Sequence, residues 1–276
     1  MSGAGAALPT PRITIVTPCL NAADYVEQTL DSVLSQGYPD LEYVVVDGGS
    51  TDGTQDIIRR HEKHLARWVS EPDRGHADAI NKGFRGTTGA VMGWLNGDDV
   101  LHRGALRLLA DLFGGFPDVE WLTAQASNMD ASGAVVQVQP ARRWSRLGFV
   151  SGDYRWIQQE STYWRRTLWE RAGARLSDAH RLACDFELWM RFFRHARLQS
   201  TEGLVGGFRM HAGQRTAGQM DAYEAEAHGI VLDELRGLMT TGAPVAGDPL
   251  WPQAPYVLRF DWRTRAFVRR ADDDGR

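Results

Sequence analysis

Cysteine and lysine are nearly missing from this sequence: 276 residues contain Cys19 and Cys184 of the one, Lys63 and Lys82 of the other. Two thiols cannot build a disulfide framework or a cysteine zinc site, so a reducing compartment is expected. Long apolar runs are missing too. No stretch reaches the roughly 18–20 residues of a membrane-spanning helix. Met1 to Pro11 lacks the charged start and apolar block of a secretory leader. Excess positive charge is also lacking, with 31 basic against 35 acidic side chains and a net charge of −4, which argues against a general nucleic-acid binder. Two phosphate-binding signatures are absent as well. No G-x-G-x-x-G follows the first predicted strand, and no G-x-x-x-x-G-K-[ST] occurs anywhere. A nicotinamide dinucleotide enzyme loses support, and bound phosphates would have to be held by a metal and by Arg74.

What is present is alternation. Arg12 to Thr17 is a β-branched run closed by Pro18, as in a buried strand. Asn21 to Gln36 follows with helical spacing of Val26, Leu30, Val33 and Leu34 and with Asp24 as a candidate cap. Strands are expected at 41–46, 66–70 and 90–95, and helices at 54–64 and 76–86. Strands trading places with helices for about a hundred residues predict parallel strands with crossover helices in one large α/β domain or two small ones. Ligands of such sheets bind beyond the carboxyl ends of the strands. Four polar loops fall there: Thr17-Pro18, Asp47-Gly48-Gly49-Ser50, Glu71-Pro72-Asp73-Arg74-Gly75 and Asn96-Gly97-Asp98-Asp99.

Further on, a helix is expected to about Phe113, a strand at 119–125, a hairpin through Asp130 to Gly133, a helix at 185–195, a strand region at 198–210 and a helix at 219–238. The segment from Arg142 to Trp169 is irregular and aromatic, with Trp144, Phe149, Tyr154, Trp156, Tyr163, Trp164 and Trp169. It is expected to line a pocket.

The sharpest chemical signal is Asp98-Asp99 after an apolar strand. Paired half-buried carboxylates need a cation or a hydrogen-bond network. A divalent ion with hard oxygen ligands, Mg²⁺ or Mn²⁺, shared with phosphate oxygens answers that need; a solvated turn with Asp99 capping the next helix is the alternative. Asp47 ends a rigid strand, where its carboxylate can accept from a base N–H or a ribose hydroxyl. Gly48 and Gly49 allow close approach of backbone to ligand. A tight turn with Asp52 as helix cap is the competing explanation.

The four ordered motifs, Ile15-Val16-Thr17-Pro18, Val45-Val46-Asp47-Gly48-Gly49-Ser50-Thr51-Asp52-Gly53-Thr54, Glu71-Pro72-Asp73-Arg74-Gly75 and Trp94-Leu95-Asn96-Gly97-Asp98-Asp99, together resemble those of family 2 glycosyltransferases. The resemblance covers roughly residues 12–212. It implies a GT-A fold, a Rossmann-like α/β/α sandwich with a mostly parallel sheet and a C-terminal acceptor-side helical region. It also implies inverting transfer from a nucleotide-sugar, UDP by family frequency, to a glycan, lipid-linked or small-molecule acceptor. On this reading a start at 1–11 is disordered, 12–100 binds nucleotide, 101–212 binds acceptor, and 213–276 is a helix and a basic-aromatic tail.

Carried over, the resemblance places Thr17 and Pro18 against the nucleotide, Asp47 with Gly48 at the base, Asp73 and Arg74 near ribose, base or phosphates, and Asp78 on a helix face toward the donor. Asp98, Asp99 and His211 fall to the metal or diphosphate, and Asn96 stands where relatives often have an acid. Gln159, Glu160, Trp156 and Trp164 belong to the acceptor side, one of Trp156, Tyr163 and Trp164 being expected to stack on a sugar. Asp185 is the implied general base, Glu187 the runner-up, and a plain helix N-cap the bland alternative. The alternation of Leu258, Phe260 and Trp262 with arginines reads as an edge strand or as a peripheral membrane contact, the protein being expected in the cytoplasm or at the inner face of the membrane. A sugar-phosphate nucleotidyltransferase is the rival enzyme, disfavoured because Thr17 to Asn21 has neither glycine nor lysine. A non-catalytic nucleotide-sugar-binding scaffold rests on Asn96.

Overall fold

The computed structural model describes residues 10–153, 156–214, 218–241 and 252–271. The expected disordered start up to residue 9, Tyr154 and the polar end from 272 lie outside the described residues.

The expected α/β sandwich is present. Strands β1 (Ile13–Cys19), β2 (Leu41–Asp47), β3 (Arg67–Ser70) and β4 (Val91–Trp94) alternate with helices α1 (Val26–Leu34), α2 (Thr54–His61) and α3 (His76–Phe84). All seven residues of β1 are buried, because helices cover both faces of a central parallel strand and leave no polar side to the alternation. Helix α1 buries Val26, Leu30 and Val33 of the stripe its spacing predicted, with Thr29 beside them, while Leu34 is half-buried. It starts later than expected: Asn21 adopts a left-handed φ of 49° and is tied to the next loop, donating N–H to Ser50 Oγ at 2.7 Å and accepting from Thr51 N–H at 3.0 Å. Asp24 does not cap this helix, whose N-cap is Tyr25 without a side-chain bond. The N-cap of α2 is Gly53 and not Asp52; Asp52, one residue earlier, accepts from Thr54 N–H at 3.0 Å.

The chain continues through β5 (Val100–Leu101), α4 (Ala105–Gly115), β6 (Trp121–Thr123), the hairpin β7 (Ser127–Met129) and β8 (Val135–Val138), α5 (Arg146–Val150), β9 (Thr162–Arg165) and α6 (Arg166–Arg171). Then come α7 (Cys184–Phe193), β10 (Gln199–Thr201), β11 (Gly206–Arg209), α8 (Met220–Thr241), β12 (Val257–Asp261) and β13 (Ala266–Arg270). The main sheet has nine strands in the order β13-β12-β10-β6-β9-β4-β1-β2-β3. It is mostly parallel; β9 runs antiparallel to both β4 and β6, and the β12–β13 hairpin closes one edge, the edge-strand reading of the tail. A second sheet, β5-β11-β7-β8, carries the other strand of the 198–210 region. That region was expected as one strand run; it divides between the two sheets.

Most of the aromatic segment forms core. Trp164 is fully buried, its ring 5.5 Å from Trp94 and 5.7 Å from Trp189. Helix α8 closes over α5 and α7 through Glu234, which bonds both Arg146 and Arg194. Among the described residues no helix is long and apolar enough to cross a membrane.

Candidate active site

Parallel topology brings the four rim loops to one end of the sheet, where three of them, those after β1, β3 and β4, border a cleft of about 2220 Å³. Pro18, Asp73, Arg74, Asp78, Asn96 and Asp98 line it. Thr17 does not reach it by its side chain, which is buried with Oγ1 2.9 Å from the Tyr43 hydroxyl. Asp47 also departs from expectation. It is fully buried, and its carboxylate accepts from Gly49 N–H at 3.1 Å, Ser50 N–H at 3.0 Å, Ser70 Oγ at 2.6 Å and the Ser50 hydroxyl. With Cys19 Sγ also 3.9 Å from Oδ1, the carboxylate is occupied by its own surroundings, and Asp47 holds the turn.

A Cβ built on Gly48 would lie 2.6 Å from Asp73 Oδ2: the missing side chain at 48 makes room for the Asp73 carboxylate at the cleft wall. Asp73 Oδ1 accepts from Gly75 N–H at 2.8 Å, which fixes the loop. Arg74 projects with 76% of its side chain exposed. Asp78 holds it, accepting from Arg74 N–H and Nη2, each at 3.1 Å, and the backbone bond from Arg74 pulls the Asp78 carboxyl below its usual range. Asp78 therefore steers a cation over the cleft.

The acidic loop separates into two roles. Asp98 faces the cleft with Oδ2 2.9 Å from His211 Nε2, and the His211 ring packs on Tyr25 at 4.5 Å between centroids. Asp99 points the other way. It is 1% exposed, and its oxygens accept from Arg209 N–H at 2.9 Å and Asn96 Nδ2 at 3.1 Å. Burial first, then the charges of Asp98 and Glu160, pushes its carboxyl well above the ordinary value. The expectation of Asp99 as a metal ligand, and the alternative of a helix cap, both give way to this: Asp99 clamps β11 to the loop after β4. Arg209, fully buried, completes the clamp by donating to Asp98 O at 2.7 Å, Ala131 O at 3.0 Å and Gln28 Oε1 at 2.9 Å.

Among the described residues no three His, Cys, Asp or Glu side chains gather into a metal cage. Asp98 and His211 nonetheless fit a divalent cation that takes its other ligands from phosphate and water, the usual habit of Mg²⁺. Asn96 Oδ1, buried without a hydrogen-bond partner on the same loop, is a further oxygen donor there.

On the acceptor side, Gln159, Glu160, Trp156 and Asp185 all line the cleft. Gln159 Nε2 is committed to Trp94 O. Trp156 is 37% exposed, whereas Tyr163 and Trp164 are fully buried, so Trp156 alone of the three offers a stacking face and Trp164 is corrected to a core residue. Glu187 is corrected too, since Arg191 clamps both its oxygens at 2.7 Å on the helix flank. Asp185 is the second residue of α7 and not its N-cap, which is Ala183; its Oδ1 accepts from Phe186 N–H at 2.8 Å and the Tyr223 hydroxyl at 3.1 Å. Sequence reasoning missed Tyr223. It also missed Glu226, which accepts from the N–H groups of Leu182 and Ala183 at 2.9 and 2.8 Å and so secures the start of α7.

Glu160 is 2% exposed with Oε1 unpartnered. Burial, helped by the charges of Asp185 and Asp98, pushes its carboxyl up to about 8, so at neutral pH it is the protonated acid. The folded chain then holds a proton that the unfolded chain releases above its ordinary value of 4.5. Stability from this group is complete below that value and is lost as pH rises through about 8. Thermal melts of Glu160→Gln should therefore gain on wild type from pH 6 to about 8 and keep a constant lead above it; parallel curves throughout would refute a buried acid here.

The model for glycosyl transferase family 2 matches residues 14–197, two thirds of the chain. TuaG of Bacillus subtilis, named as a glycosyltransferase of teichuronic acid biosynthesis, is 39% identical over 94 residues, 32% of this chain and 36% of that protein. Poly-beta-1,6-N-acetyl-D-glucosamine synthase of Staphylococcus epidermidis is 29% identical over 140 residues, 50% of this chain and 34% of that protein. The chain thus spans about a third of each. Among solved structures, residues 1–349 of S. aureus TarS with UDP-GlcNAc superpose with a TM-score of 0.59 at 16% identity, over 74% of this chain and 60% of that one. The mannosyltransferase PcManGT of Pyrobaculum calidifontis with GDP-Man and Mn²⁺ gives 0.58 at 22% identity, over 82% and 64%. These likenesses establish a GT-A fold. Three of the four rim loops that the motifs marked line the cleft, and the chain belongs to glycosyltransferase family 2.

Proposed function

We propose that the cleft binds a uridine diphosphate sugar and transfers the sugar to an acceptor hydroxyl with inversion at the anomeric carbon. The observation that carries this reading is that one cleft holds both the Asp98–His211 pair, 2.9 Å apart, and the Asp185 carboxylate oriented by Tyr223. The first suits a diphosphate; the second suits a hydroxyl to be deprotonated. UDP as the nucleotide is supported by the TarS complexes with UDP and UDP-GlcNAc. A cell-surface glycan acceptor is supported by relatives named for teichuronic acid and poly-N-acetylglucosamine synthesis.

The chemistry follows from the residues. Asp73 contacts base or ribose, and Arg74, steered by Asp78, meets the phosphates. Trp156 stacks on the acceptor and places its hydroxyl beside Asp185. As the hydroxyl oxygen bonds to the anomeric carbon, its proton passes to Asp185, and the bond from that carbon to the diphosphate breaks with its electron pair left on the phosphate oxygen. Glu160, kept neutral, adds no third negative charge where the diphosphate departs. Asp98 and His211 would hold a divalent cation, which, when bound, screens the charge that grows on the leaving group.

Proton NMR of UDP-GlcNAc cleavage tests the stereochemistry, with water as acceptor where no other is known. Freshly released sugar should be the β anomer from the α-linked donor. Release of the α anomer would overturn the inverting reading.

A further inference from the structure

The β12–β13 hairpin lies outside the chemistry described above, yet topology puts its turn beside the cleft. β12 is parallel to β10 and β10 to β6; β6 and β4 are both antiparallel to β9; β4 is parallel to β1. The carboxyl end of β12 therefore points the same way as those of β1 and β4, and the turn from Asp261 to Ala266 stands on the rim that carries the cleft loops. Four strand spacings separate β12 from β4, about 19 Å in all.

The turn exposes what a folded surface normally covers. Trp262 is 84% exposed, its ring edge-on to Phe260 at 4.7 Å, and Phe260 meets Phe267 at 5.4 Å. The hairpin's arginines divide by role. Arg259, Arg269 and Arg270 pair with Glu202, Asp118 and Asp261 and bind the hairpin to the body and to itself. Arg263 and Arg265, which both follow Trp262, have no acidic partner in an ion pair among the described residues. Asp261 preforms the turn, accepting from Arg263 N–H at 2.9 Å. Arg265 holds a left-handed φ of 54°, which glycine or asparagine would adopt at less cost. In a chain of net charge −4, residues 257–270 carry five arginines against one aspartate. An exposed tryptophan with unpaired guanidinium groups is the composition of an interfacial anchor, the ring seating at headgroup level and the cations at lipid phosphates.

We propose that this turn docks the chain on an anionic phospholipid surface, so that the cleft rim faces the membrane and receives a lipid-linked acceptor. The acceptor class rests on the transfer reading. The docking does not, and it is measured without donor or turnover.

The test is co-sedimentation of the full chain with vesicles of phosphatidylcholine alone and of phosphatidylcholine with about 30% phosphatidylglycerol. Binding to the anionic vesicles only is expected, released by salt. Arg263→Ala and Arg265→Ala should each weaken it about fivefold, and Trp262→Ala about tenfold, with melting temperature and UDP affinity unchanged. Equal binding to both vesicles, binding to neither, or full binding by Trp262→Ala would overturn the proposal. So would a Trp262-dependent dimer in light scattering, which would assign the turn to a second copy of the chain.

Discussion

Asp185→Asn lowers kcat for transfer by about 10³-fold, the scale of a lost general base, and leaves UDP affinity where it was. Asparagine keeps the size of the side chain and an oxygen to accept from Tyr223 and from Phe186 N–H, the two partners of Asp185 Oδ1. It removes only the capacity to take a proton. Steady-state kinetics with calorimetric UDP binding reads the two effects apart. Glu187→Gln is the control, because that carboxylate is occupied by Arg191 on both oxygens; it should leave kcat within a factor of about two. Full activity in Asp185→Asn would remove the base from this account and turn attention to Glu160, the other carboxyl of the acceptor side.

Glu234→Ala produces the largest loss of stability, about 3–5 kcal/mol. The Glu234 side chain is 3% exposed and Arg146 7%, and the two bond directly while Arg194 donates to the same carboxylate. Burial alone would raise the Glu234 carboxyl; the bonds from Arg194 and Arg146 outweigh it and hold the group below its usual range. The stability it contributes is therefore present above the unfolded value of 4.5 and is lost as pH falls through the folded one. Removing the carboxylate takes the Glu234 bond away from the buried Arg146 guanidinium. For a chain of this size the melting temperature should drop by roughly 10 °C. A drop within about 2 °C would show that α8 is held by its apolar contacts alone.

The sheet was legible because the alternation of β-branched runs with helical stripes is local, and helices on both faces leave β1 and β2 buried almost throughout and rich in Ile and Val. β9 was not, since Thr162 to Arg165 is a short aromatic piece whose partners β4 and β6 are distant in sequence and which runs against the parallel pattern. At the site, the sequence marked Asp98, His211 and Asp185, all of which line the cleft, because strand ends and helix starts are visible in a sequence. Asp47 and Asp99 were misassigned for one reason: a pattern shows where a carboxylate sits along the chain, not which way it turns. Asp47 turns into its own loop, and Asp99 turns toward Arg209, which is 110 residues away. Tyr223 and Glu226 gave no local signal, since a tyrosine and a glutamate in the stretch Met220-Asp221-Ala222-Tyr223-Glu224-Ala225-Glu226 read as an ordinary helix surface. Only the packing of α8 against α7 turns Tyr223 to the cleft and Glu226 to the start of α7.

Calorimetric titration of UDP and GDP into the protein, with and without Mn²⁺, tests the central claim most directly. UDP should bind to wild type and to Asp185→Asn alike, more tightly with Mn²⁺. Asp98→Ala and Asp73→Ala should each weaken binding about tenfold, the worth of one charge-assisted contact. Absence of binding by either nucleotide, or UDP binding untouched by Asp98→Ala and Asp73→Ala, would contradict a donor site in this cleft.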